Sequence, residues 1–148
     1  MNIRWHCKAF NNLTPGELYA IIRLRNEVFV VEQNCVFQDA DNKDQECLHL
    51  MGWIEGRLAA YTRLAPPGYI YAEASIGRVI TSSEFRNKGI GHELMQKSIE
   101  ECKKVFGSIA IKIGGQYYLK NFYASFGFKQ ISDIYLEDGI EHIYMLLE

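Results

Sequence analysis

Arg86, Lys88, Gly89 and Gly91 stand close together in "SEFRNKGIGHELMQ", directly ahead of a helical pattern. A helix start needs only one Ser, Thr, Asp or Asn as its cap; two cations and two glycines go beyond that. Unpaired N–H groups in a helix's first turn carry partial positive charge and suit a phosphate. Gly89 and Gly91 remove side chains that would hold a ligand off. Arg86 and Lys88 add charge, the arginine as a fork matched to phosphate oxygens. An isolated Arg-x-x-Gly-x-Gly is as compatible with a solvated turn. The better-defined loops are excluded: no GxxxxGK[ST] occurs, and Gly89-Ile90-Gly91-His92-Glu93-Leu94 lacks a third glycine. "DADNKD" fails as a calcium loop, because Lys43 takes a ligand position and Asp44 stands where glycine belongs.

Metal chemistry finds no footing. Cys47-Leu48-His49 has no second ligand pair at zinc-like spacing. Cys7, Cys35, Cys47 and Cys102 are scattered without a CxxC pair, which reads as reduced thiols in a cytoplasmic setting. Gly114-Gly115 is either a plain turn or a place where a ligand or another backbone presses against the chain.

These groups need elements to position them. "IRWHCKAF" reads as a first strand. Thr14-Pro15 is a cap with proline at the first helical position, and apolar residues at helical spacing carry the helix to about Val31. "QDADNKDQE" is polar and turn-prone; "HLMGWIEGRLAAYTRL" is a hairpin through Glu55-Gly56. Ala74 to Thr81 is a β-branched buried strand that runs into the basic loop. A helix follows from Gly89 to about Phe106. "SIAIKIGG" is a strand with Ile109, Ile111 and Ile113 on one side, and "YYLKNFYASFG" is a short helix ended by Gly127. Two closing strands surround Asp138-Gly139. That order predicts an α/β or α+β sandwich with a central mixed sheet.

With 148 residues, 48% of them hydrophobic, the chain is long enough to bury one full core. No repeat, linker or low-complexity tract divides it. A formal net charge of −2 provides no global field for nucleic acid or an anionic membrane, so neither is expected as a partner. No stretch approaches the ~20 apolar residues of a membrane span, and Arg4 and Lys8 break up any signal-like N-terminus. The expected location is the cytoplasm. Exposed aromatics in "YIYAE" leave room for a homodimer edge.

Arg86-x-x-Gly89-x-Gly91 after the strand ending at Thr81 resembles the acyl-CoA pyrophosphate loop of the GNAT superfamily of N-acetyltransferases. "NFYASFGFK" is similar to the last-helix signature of that superfamily. "LRNEVFVVEQNCVFQDADNKD", "IGRVI" and "EDGIEHIYM" extend the resemblance to the bacterial ElaA-type group over nearly the whole chain. The resemblance implies one GNAT domain over residues 1–148, with a mixed, mostly antiparallel sheet of six to seven strands flanked by helices. It implies acetyl-CoA as cosubstrate and a small-molecule or peptide amine as acceptor. It places pantetheine along the backbone of Val79, Ile80 and Thr81. The diphosphate falls to the loop of Arg86, Asn87, Lys88, Gly89, Ile90 and Gly91. Asn87 replaces the usual second glycine; asparagine tolerates the backbone angles needed. Gln116 stands where many members carry an asparagine that holds the pantetheine arm.

Amide formation from a thioester sets three tasks. An amine of pKa about 10.4 must lose a proton, the carbonyl oxygen needs a donor, and the departing thiolate needs an acid. A free N–H on the strand of Val79 to Thr81 suits the oxyanion. The resemblance implies Tyr123 as the acid. For the base, Glu32, Glu73, Glu137 and His142 remain open, with Glu32 and His142 in the group's distinctive segments and histidine suited to proton work near neutrality. Arg63 and Arg78 are candidates to pair with these carboxylates or to orient an acidic acceptor. A non-catalytic acyl-CoA-binding module is the alternative function.

Overall fold

The computed structural model describes residues 2–148. Strand β1 (Arg4–Ala9) leads into helix α1 (Pro15–Arg25). Thr14 and Glu17 cap that helix reciprocally: the Glu17 N–H donates to the Thr14 hydroxyl and the Thr14 N–H to the Glu17 carboxylate. The helix then continues in wide, π-type turns over Asn26–Glu32, a geometry that often marks functional sites. β2 (Leu48–Ile54) and β3 (Arg57–Ala65) form the hairpin, and β4 (Ala74–Thr81) follows with the expected bounds. Next come α2 (Ile90–Phe106), β5 (Ile111–Gln116), α3 (Lys120–Ala124), β6 (Lys129–Gln130), β7 (Tyr135–Glu137) and β8 (Ile140–Leu147).

The sheet runs β1-β2-β3-β4-β5-β8-β6, with β7 also on β8. Among the described residues it has eight strands rather than six to seven. The addition is β6, whose two residues are too short to show a period of their own. Ile109 lies ahead of β5 and is exposed, so the apolar side of that strand begins at Ile111. Every pairing is antiparallel except β4 with β5, which touch only at Ala74↔Ile111 and Ser75↔Lys112. Beyond those two pairs the strands splay. This split is the central feature of the fold.

One sheet face packs on α2, burying Leu64, Ile76, Met95, Ile111, Ile113 and Met145 together. The other packs on α1, where Ile21, Leu24 and Val28 meet Met51, Tyr61 and Ile80. Ile76 and Ile80 are four apart in β4 and should share a face, yet they lie on opposite ones. The cause is an extra residue: Arg63 pairs Gly77 and Tyr61 pairs Ile80, so Arg78 and Val79 together oppose Thr62. Arg78 sits in the left-handed region, φ 52°. That is a β-bulge, which flips the strand's faces and leaves ladder groups unpaired.

Candidate active site

A cavity of about 590 Å³ occupies the split. Consecutive residues line it, from Ile76 to Thr81 on β4 and from Ile113 to Gln116 on β5. Neighbours in a strand point to opposite faces, so the cavity lies between the strands, in the plane of the sheet, and is reached from both faces.

From the α2 face comes Tyr123, on α3. It is 5% exposed, and burial pushes its phenol up to about 12. Phe122 and Phe128 meet its ring edge-on. Gly115 lies beneath: a Cβ there would stand 2.8 Å from the ring, so only glycine admits the tyrosine in this place. Gly114 is crowded likewise, by the hydroxyls of Tyr135 and Tyr71 at 2.9 and 3.1 Å from its would-be Cβ. The glycine pair is therefore no plain turn. Tyrosine side chains press on it from both faces.

From the opposite face comes His142, paired with Gln116 across β5 and β8 and largely buried. Its Nδ1–H donates to the Ile140 carbonyl at 2.7 Å. A carbonyl can only accept, so the neutral ring keeps its lone pair on Nε2. Nε2 lies 3.6 Å from the Glu137 carboxylate, and Tyr135 stacks on the ring with centroids 5.8 Å apart. Glu137 and His142 both border the cavity.

The basic loop closes one end. Asn87 and Gly89 both take left-handed backbone, φ 64° and 77°, and Gly89 caps α2. The Arg86 guanidinium forks onto the Glu32 carboxylate, and its Nε donates to the Thr81 carbonyl at 3.3 Å. Arg86, Asn87, Gly91 and Glu32 border the cavity. Lys88 and Gly89 face solvent, and the Ile90 side chain is buried under the loop with Leu94. Gln116 reaches the cavity and donates to Gln33 at 3.5 Å. Glu73 lies away from it.

Three aspartates of "QDADNKDQE" turn inward, although the segment reads as a polar turn. Arg25, wholly buried, donates to Asp39 and Asp44 at 2.7 Å each. Arg63 donates to Asp41 and Asp44, and Arg78 to Asp39 at 2.8 Å. Burial would raise the Asp41 carboxyl, but the Arg63 hydrogen bond and charge, with Arg78 beside it, hold it at about 2. His49 spends both ring nitrogens inside the core, Nε2–H on the Asp44 carbonyl and Nδ1 on the Tyr61 hydroxyl. Cys47 and the other three cysteines are free thiols. The signal for the aspartate–arginine cluster was present: "AAYTRLA" and "SIGRVI" each carry an arginine inside a buried strand, and a buried arginine requires carboxylates.

Residues 20–148 match the family model for the acetyltransferase (GNAT) domain. The chain belongs to the GNAT acetyltransferase family. The Escherichia coli (strain K12) protein ElaA is 40% identical over 99% of this chain and 97% of its own length. Its crystal structure superposes with a TM-score of 0.94, covering 99% of this chain and 100% of that one. An acyl-CoA N-acyltransferase of Pseudomonas aeruginosa superposes with a TM-score of 0.96 at 39% identity, again over 99% and 100% of the two chains. A GNAT family acetyltransferase of Elizabethkingia anophelis, solved with acetyl-CoA bound, shares the fold at 18% identity and a TM-score of 0.66, over 99% and 98% of the chains. Within GNAT the chain is of the ElaA type, and its fold is that of an acyl-CoA acyltransferase.

Proposed function

We propose that the protein moves an acetyl group from acetyl-CoA to a primary amine by direct attack within a ternary complex. The observation that carries this reading is that Tyr123 and His142 reach one cavity from opposite faces of the sheet, through the split between β4 and β5. An acid on one side of a thioester and a base on the other is what in-line transfer needs. The acetyl-CoA held by the Elizabethkingia relative supports the choice of donor.

Residues 1–148 act as one domain in the cytoplasm, on a small-molecule or peptide amine. Among the described residues no helix is long and apolar enough to cross a membrane. The backbone of Val79, Ile80 and Thr81 holds the pantetheine, and Gln116 steadies its arm. The diphosphate lies on the loop from Arg86 to Gly91. There Lys88 adds charge, Gly89 provides the left-handed turn, and the backbone N–H groups of Ile90 and Gly91 open α2. The bulge at Arg78 and Val79 frees a backbone N–H for the carbonyl oxygen.

Of the candidate bases, His142 takes the role. Glu32 is engaged by Arg86, and Glu137 lies beside the Nε2 of His142 at the border of the cavity. His142 Nε2 accepts the proton of the attacking nitrogen, the C–N bond forms, the C–S bond breaks, and the Tyr123 hydroxyl protonates the sulfur. In sum an ammonium and a thioester give an amide, a thiol and one proton to solvent. The test is thiol release from acetyl-CoA across a panel of primary amines. Turnover with at least one amine, lowered ~10²–10⁴-fold in His142→Gln, is the expected outcome. Tight CoA binding with no turnover on any amine favours the non-catalytic binding module instead.

A further inference from the structure

A second cavity, of about 190 Å³, opens off the first at the apex of the split, sharing Ile76, Gly77, Arg78, Gly114 and Glu137 with it. It lies on the His142 face. Arg63 pairs Gly77, Ser75 pairs Lys112, and Gly114 pairs Tyr144, and directly opposed residues share a face. Its walls carry polar groups with unspent hydrogen bonds. Arg63, 4% exposed, commits both terminal nitrogens to Asp41 and Asp44, and its Nε has no partner among the described residues. Ser75, 5% exposed, makes no side-chain hydrogen bond among the described residues. A buried polar group is seldom left as the Arg63 Nε is, and one that borders a cavity beside a free serine hydroxyl points to a ligand that completes it.

The charges say which ligand. Arg25, Arg63 and Arg78 are matched by Asp39, Asp41 and Asp44. Lys43 borders the cavity and makes no ion pair among the described residues. Lys112 sits 4.8 Å from the centre of the Tyr71 ring and 4.6 Å from that of Tyr144, with aromatic faces in place of a carboxylate. Lys112 stands behind the Tyr71 wall and does not line the cavity, so Lys43 is the cation that leaves its far end net positive, while Glu137 at the junction, with His142 of the first cavity beside it, suits an amine. The space holds roughly six water-sized groups.

We infer that this cavity is the acceptor subsite and that the acceptor is a small amino carboxylate. Its amine faces Glu137 and His142, and its carboxylate meets Ser75, Arg63 and Lys43. The inference rests on the transferase reading for the amine's role, but binding tests it separately. β-Alanine, γ-aminobutyrate and leucine, each against its own carboxamide, are titrated calorimetrically into the CoA-loaded protein. At least one acid binds about tenfold or more tightly than its amide, as for a charge-assisted hydrogen bond. Ser75→Ala and Lys43→Gln each reduce that acid-to-amide ratio to about threefold or less. Because the readout is a ratio within one variant, a general loss of folded protein does not mimic it. Equal binding of acid and amide, an unchanged ratio in both variants, or tighter binding of triglycine amide than of every free acid overturns the inference. Acid-selective binding without thiol release leaves the subsite standing and removes the transferase reading.

Discussion

In the proposed reaction Tyr123 and His142 demand opposite things of their surroundings. An acid must hold its proton until the sulfur departs, and burial does this for Tyr123 by pushing its phenol to about 12. A free thiol of the cysteine type has pKa about 8.5, so the transfer is uphill in water. In the same dry cavity the thiolate also loses solvation and grows more basic, which narrows the gap. Tyr123→Phe is expected to lower kcat ~10²-fold or more, with acetyl-CoA affinity by calorimetry within about threefold of the parent; unchanged turnover would remove Tyr123 from the reaction. Glu32 makes a different prediction. Its carboxylate occupies the Arg86 fork, the group best shaped to take a diphosphate. A ligand that binds there must compete with it. Glu32→Gln should therefore tighten CoA binding several-fold and steepen its salt dependence, since the attraction between Arg86 and the diphosphate is then no longer offset by a broken ion pair, whereas a base role for Glu32 would instead leave affinity alone and abolish turnover.

Strands and helices matter here for where they fail to be regular. The split needs β4 and β5 to part after two pairs, and the bulge at Arg78 turns the rest of β4 over. Asp39 holds that bulge: its carboxylate and carbonyl bond Arg78, and they also bond the buried Arg25. Removing it in Asp39→Ala leaves a buried guanidinium short of its partner, which costs about 3–5 kcal/mol. The measured consequence is a melting temperature lower by roughly 10 °C, together with a fall in kcat larger than the loss of folded protein explains. Gly115→Ala acts through Tyr123, since its methyl lands 2.8 Å from the ring. Gly115→Ala/Tyr123→Phe should be little slower than Tyr123→Phe alone, because both changes remove one contribution. The regular parts were legible in sequence. Ala74 to Thr81 stands out as a β-branched run, and Thr14-Pro15 and Gly89 mark two helix starts. The irregular parts were not. Gly77 interrupts the strand, but the left-handed residue is the arginine after it, and although buried arginines call for carboxylates, their partners Asp39, Asp41 and Asp44 lie 14 to 39 residues away.

At the scale of the whole molecule, the aspartate cluster ties the connection between α1 and β2 to the sheet, so the cavity's His142 face shares its stability with a titrating network. Asp41 shows the sign. Its carboxyl is held at about 2 by Arg63 and Arg78, below its ordinary 3.8. A folded pKa below the unfolded one means that folding favours the ionised form. The stabilisation is complete above about pH 4 and is lost as pH falls from there toward 2. With the Asp41 side chain a quarter exposed, solvent screening leaves about 1–2 kcal/mol of the full difference. Denaturant unfolding followed between pH 5 and 2 should show stability falling through that window, with a shallower slope in Asp41→Asn. The same variant has two arginines short of a carboxylate, so it should start less stable at pH 7 and converge on the parent near pH 2. Parallel curves, with Asp41→Asn offset by the same amount at every pH, would mean that Asp41 titrates alike in the folded and unfolded chains, and that the ion pairs seen here add nothing to its charge state.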